Sequence, residues 1–131
     1  MAIEKITPSG SATPRGHYSP GVRAGDFIFV SGQGPIDPVS DKLVVTDVAT
    51  QTRLTLENVQ RVLQAAGAEL SDVVKVSVFL KHIDDFKAMN QVYGEFFGEI
   101  KPARTTIEST FHQAEMLVEV DCIAYSPLRR D

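Results

Sequence analysis

The sequence has no excess of basic residues, no pair of cysteines and no apolar run of membrane-spanning length, and each lack closes a class of function. Thirteen Lys and Arg stand against 17 Asp and Glu, a net charge of −4, with no basic cluster. Sequence-independent nucleic-acid binding needs a Lys/Arg stripe that displaces counterions, so that partner is disfavoured. The single Cys122 cannot close an internal disulfide and falls in an apolar stretch, which fits a reducing compartment. The opening MAIEKITPSG has no apolar core of signal-peptide length, so the chain is expected in the cytoplasm, with no membrane as partner. His17, His82 and His112 lack metal-ligand spacing, and with a lone cysteine no metal site is expected. No glycine-rich loop opens a helix to cradle phosphate, and no repeat or low-complexity tract is present.

What is there is ordinary in bulk: 131 residues, 43% apolar and 23% charged, enough for one core and one domain over 1–131. Residues 1–20 read as an N-terminal arm with a first strand, interrupted by Pro8, Gly10, Pro14, Gly16 and Pro20. Phe27–Gly32 is a dense apolar run, predicted as a buried strand, and Lys42–Val45 as a brief return strand after the Gly34–Pro38 turn. Val48, Thr52, Leu56, Val59, Leu63 and Ala66 then repeat at helical spacing, with Asp47 placed to cap and Gly67 to stop. Val73–Leu80 reads as a strand, with Val74, Val76, Val78 and Leu80 on one face. A second helix from about Asp84 is expected to bury Phe86, Met89, Tyr93, Phe96 and Phe97, and to end at Gly98 and Pro102. Strands over 103–110 and 116–125 close the chain. The order predicts an α+β fold, a mixed six-stranded sheet with two helices on one face. Two helices leave the other face bare. Apolar residues assigned to it, Phe27 or Ile28 with Val118, Val120 and Cys122, predict an obligate oligomer.

Two residues carry the chemistry. Arg104, at the mouth of one predicted strand, is a permanently charged planar fork suited to bidentate binding of a carboxylate. Glu119 lies fifteen residues on, inside an apolar run, where an ionisable group is costly unless paired or used. A cation to clamp an acid, with a carboxylic acid to handle a proton or a water, is a minimal hydrolytic site. The competing readings are an Arg104–Glu119 ion pair, or an ion pair to another subunit. Asp121 shares the face of Glu119 and suits a capping or inter-subunit hydrogen bond. Cys122 reads as a small core residue, His112 as a solvated loop histidine, and Arg129 and Arg130 as solvated charge.

Phe29-Val30-Ser31-Gly32-Gln33, Glu57-Asn58-Val59, Asn90 to Phe97, and Pro102-Ala103-Arg104-Thr105-Thr106 followed by Val118-Glu119-Val120 resemble the RidA/YjgF family. These are imine and enamine deaminases, formerly labelled endoribonuclease L-PSP or translation inhibitors. The resemblance runs from about Tyr18 to Ala124, and the Pro-Ala-Arg to Glu spacing is its most specific part. It implies a chorismate mutase-like, RidA-type fold, assembled as a homotrimer with active sites in clefts between subunits, and no cofactor. It further implies hydrolysis of 2-imino and enamine acids, of the 2-aminoacrylate and 2-iminobutyrate type, to 2-keto acids and ammonia. In that scheme Arg104 holds the small-molecule carboxylate, and the backbone N–H of Thr106 adds a contact. Glu119 orients or protonates with the help of the Gly32 carbonyl, Tyr18 closes the pocket, and Ser31 and Asn90 lie nearby. The chain departs from the family pattern at Thr106, where many members have cysteine, and at Gly34, where a bulky aliphatic residue is usual. His112-Gln113 replaces Leu-Pro, and His17 alters the arm. Gly34 is expected to enlarge or loosen the pocket wall, which suits a larger enamine such as 2-aminomuconate. A non-catalytic carboxylate-binding trimer is the alternative. The ribonuclease label fits poorly with the acidic charge and the lack of a histidine pair.

Overall fold

The computed structural model describes residues 3–10 and 16–128; Pro14, Arg129 and Arg130 lie outside the described residues. In chain order the elements are β1 (Ile3–Ile6), β2 (Gly21–Ala24), β3 (Phe27–Gln33), α1 (Val48–Ala65), β4 (Val73–Leu80), α2 (Phe86–Phe97), β5 (Ala103–Glu108) and β6 (Val118–Tyr125). The strands form one six-stranded sheet in the order β1-β2-β3-β6-β4-β5. Only β4 and β5 run parallel, joined by α2 as a crossover.

Local chemistry sets the helices where the sequence predicts them. The Asp47 carboxylate accepts from the Thr50 N–H at 2.7 Å, starting α1, and this bond holds its pKa below the ordinary value. Gly67, at φ +80°, takes the chain out of α1 through a conformation that costs other residues dearly. Beyond α2 the chain turns at Gly98, at φ +51°. Both helices lie on one sheet face. Leu56, Val59, Leu63, Met89, Tyr93 and Phe97 pack there against Ile28, Val30, Val76, Val78, Leu80, Val118, Val120, Cys122 and Ala124.

That packing corrects the assignment of the bare face. Ile28, Val118, Val120 and Cys122 point into the core, because strand alternation puts them with Ala124 beneath the helices. The uncovered face carries Phe27, Phe29, Ile107 and Tyr125, each more than two-fifths exposed. The Phe27 and Tyr125 rings pack with centroids 5.2 Å apart, tilted by 58°. Other expectations shift as well. Lys42–Val45 forms no strand but a single bridge between Ile36 and Leu43, since Pro35 and Pro38 lack the N–H groups a ladder needs. A register irregularity between Val73 and Lys75 buries Val73 and turns Val74 out to solvent. Phe86 is 37% exposed rather than core, Phe96 is half-buried, and Val92 takes a buried place on α2.

The β2 strand holds an arginine that sequence reading passes over. Arg23 is 7% exposed and donates to the carbonyls of Ser126 at 2.8 Å, Ala66 at 2.8 Å and Gly25 at 3.2 Å. It ties the sheet edge to the end of α1 and to the chain beyond β6. Its role is structural.

Candidate functional site

The parallel pairing of β4 and β5 sets Arg104 beside Val76 and Thr106 beside Val78, so both side chains share the helix face. From there Arg104 meets α2. Its Nη1 donates to Asn90 Oδ1 at 2.8 Å, and the guanidinium lies 4.6 Å from the Tyr93 ring centroid and 5.4 Å from that of Phe86. Burial raises the Tyr93 pKa, and the Arg104 charge opposes the rise. No carboxylate among the described residues forms an ion pair with Arg104. A shallow pocket of about 480 Å³ opens beside it, lined by Asn90, Tyr93, Gly94, Lys101, Pro102 and Arg104. Thr106 Oγ1 is buried on the same face, with no hydrogen-bond partner among the described residues.

Glu119 occupies the other face. Antiparallel pairing sets it opposite Phe79, out of phase with the core residues Val118 and Val120. Its carboxylate lies against the backbone of Gly32, so closely that a Cβ there would sit 2.5 Å from Oε2 and 2.8 Å from Cδ. Glycine at 32 is what admits the acid. Desolvation raises the Glu119 pKa, the Asp121 carboxylate adds to the rise, and His112 opposes it. Arg104 has no part in this balance, since it sits across the sheet. The Arg104–Glu119 ion pair weighed from sequence does not form within one chain.

Glu119 lines a second cavity, of about 360 Å³, together with Tyr18, Gly32, Gly34, Arg61 and His112. Tyr18 is 54% exposed and borders the cavity from the N-terminal segment. Ser31 sits beside Gly32 in β3. It does not line the cavity, and its Oγ donates to the Ser19 carbonyl at 2.6 Å while its N–H donates to Pro20 O at 2.9 Å. It fastens the segment that carries Tyr18. Gly34 lines the cavity as expected but does not enlarge it. Met116 fills the space, its Cε 2.9 Å from where a Cβ on Gly34 would stand. The His112 side of the rim is polar and exposed.

Sequence reading missed Met116, Asn58 and Arg61 as cavity residues. Asn58 Nδ2 donates to Gly34 O and Ile36 O, both at 2.9 Å, and holds the loop beyond β3. Its Oδ1 accepts from Arg61 Nη1. The available signal was a polar file, Gln51, Thr55 and Asn58, at helical spacing along the buried side of α1. Cys122 is buried in the core, its thiol pushed up to about 12, and is not part of either cavity. Among the described residues no group of His, Cys, Asp and Glu could hold a metal ion, and no helix is long and apolar enough to cross a membrane.

The family model described as Endoribonuclease L-PSP matches residues 9–126. A RutC family protein of Pyrococcus abyssi is 46% identical over 125 residues, covering 95% of this chain and 98% of the relative. A protein of Acinetobacter baylyi named 3-aminoacrylate deaminase RutC is 37% identical over 125 residues, covering 95% and 99%. The crystal structure of the YjgF gene product of E. coli superposes with a TM-score of 0.86 at 34% identity, covering 93% of this chain and 98% of that one. Nearly full-length matches of this strength, on the same two-helix, six-stranded fold, show that the chain belongs to the RidA/YjgF family.

Proposed function

We propose that the protein is a cofactor-free deaminase that hydrolyses reactive 2-imino and enamine carboxylic acids to 2-keto acids and ammonia. The observation that carries this reading is the state of Arg104. Its guanidinium is held by a neutral amide and two aromatic rings, with no carboxylate partner among the described residues. A structural ion pair would use up the charge. A cation fixed by neutral groups keeps it for a ligand, and a bidentate charge-assisted contact is worth about 1.5–3 kcal/mol. The name of the A. baylyi relative, 3-aminoacrylate deaminase, supports deamination of an enamine acid in general.

In this scheme the substrate carboxylate rests on Arg104, with the Thr106 N–H as a second donor. Water adds across the C=N bond, the nitrogen takes up a proton, and the C–N bond breaks to give the keto acid and ammonia. Glu119 serves that proton movement, and its raised pKa keeps it a proton donor nearer neutral pH. Tyr18 closes the cavity, the Gly32 carbonyl faces the water, and Asn90 positions Arg104. Since Arg104 and Glu119 lie on opposite sheet faces of one chain, a complete site needs two copies. The bare apolar face with Phe27, Phe29 and Tyr125 provides the surface for a homotrimer with clefts between subunits. The reaction and the family's fold fit the cytoplasm.

The test is ammonia release from freshly generated 2-aminoacrylate and 2-iminobutyrate. Turnover above spontaneous hydrolysis, lost in Arg104→Ala with the oligomer intact, is expected; retained turnover in that variant overturns the assignment. A second reading, a carboxylate-binding trimer without catalysis, is favoured by the separation of the Arg104 pocket from Glu119. It predicts binding of 2-ketobutyrate with no ammonia release.

A further inference from the structure

The deaminase reading uses one cation, yet the Glu119 cavity contains another. Arg61, on the fourth turn of α1, lines the same 360 Å³ space as Tyr18, Gly34 and Glu119. It is half-buried, and its one hydrogen bond among the described residues goes to the neutral amide oxygen of Asn58. No described carboxylate forms an ion pair with it. Asp37 is the acid that feels its charge, but that carboxylate is committed to the N–H groups of Val39 at 2.8 Å and Ser40 at 3.1 Å. As with Arg104, the guanidinium donates to an asparagine amide oxygen, and Asn58 is itself anchored by two backbone carbonyls at 2.9 Å.

We infer that Arg61 is the anion-binding residue of this cavity and, with Arg104 of a second copy, selects substrates that carry a carboxylate at both ends. The inference rests on the deaminase reading for the chemistry at the first end and names the substrate class it favours. A carboxylate suits Arg61 better than a phosphate ester, because one guanidinium balances one charge and leaves a phosphate dianion half neutralised. The cavity is large enough for a short diacid, falling in the range of small-molecule sites, and Met116 gives one wall a flexible apolar surface for the carbons between.

The experiment titrates wild type, Arg61→Met and Arg61→Lys with 2-oxopentanoate and 2-oxoglutarate, product-like acids of equal carbon number that differ in the terminal carboxylate. Wild type is expected to bind the diacid more tightly by about tenfold, the equivalent of ~1.4 kcal/mol. That ratio should collapse toward one in Arg61→Met and be largely kept in Arg61→Lys. A wild-type protein with no preference, or a ratio unchanged in Arg61→Met, overturns the inference. Equal weakening of both acids with the ratio kept also overturns it, and makes Arg61 a prop for Asn58. Ammonia release by wild type is read separately. Arg61-dependent diacid binding without turnover defeats the deaminase and keeps the inference, whereas turnover blind to the second carboxylate does the reverse.

Discussion

Replacing Gly32 with alanine should silence the protein without unfolding it. The backbone at Gly32 has no positive φ, so alanine meets no conformational penalty there. The three nearest atoms to the added Cβ all belong to the Glu119 side chain. A Cβ would stand 2.5 Å from Oε2, and ordinary contact begins near 3.4 Å, so the carboxylate has to retreat by about 0.9 Å. It can do so, because it is the end of a flexible side chain in a half-buried place rather than a packed core group. Stability should therefore change by less than about 1 kcal/mol. A displacement near 1 Å of a group that handles the proton typically costs about a hundredfold in rate. The assay is kcat for ammonia release beside the thermal midpoint of each protein. A Gly32→Ala protein that keeps its midpoint and turns over within about threefold of wild type would refute the placement of Glu119 in the chemistry.

Three further outcomes follow from the packing. Arg23→Met should lower the free energy of unfolding by about 3 kcal/mol or more in urea, since it strands the three carbonyls that Arg23 now satisfies; a loss below ~1 kcal/mol would contradict that role. Burial favours the protonated form of Glu119, so its stabilising contribution is present at acid pH and is lost as pH rises through its raised folded pKa. Glu119→Gln should therefore stabilise the protein relative to wild type at pH 7.5 more than at pH 4, and equal thermal shifts at both would contradict the burial effect. Gly34→Ile should be poorly tolerated alone, because Met116 already stands in that space, but rescued by Met116→Ala; a double-mutant cycle with no coupling would dismiss the exchange of volume between them.

How much of this was legible in the sequence depends on how local the cause is. Asp47 and Gly67 bound α1 through bonds and dihedrals within a few residues, and both were readable. So was the fold class, since the change from strand to helical period repeats twice along the chain. The strand β2 escaped because Gly21-Val22-Arg23-Ala24 places a charge where a core residue belongs. Two of the three carbonyls that satisfy that charge lie 43 and 103 residues away. The bare face was misassigned because alternation fixes which residues share a face, not which face the helices cover. For the site, Arg104 and Glu119 were visible as chemical types in costly positions, whereas Asn90 was named only through the family resemblance. Arg61 was not visible. Its spacing is that of any exposed helical arginine, and only the return of the Gly34–Ile36 loop onto Asn58 turns it toward a cavity. The bond from Ser31 to Ser19 was not readable, since it depends on how the N-terminal segment folds back.

The central claim is that catalysis needs Arg104 from one copy and Glu119 from another. Subunit complementation tests it most directly. Arg104→Ala and Glu119→Gln proteins, each inactive alone, are unfolded, mixed in equal amounts and refolded together. Random assembly of a ring with one site per interface regenerates about a quarter of the sites intact, so ammonia release should return to roughly a quarter of wild type. A mixed assembly that forms but stays as inactive as its parents would contradict the shared site.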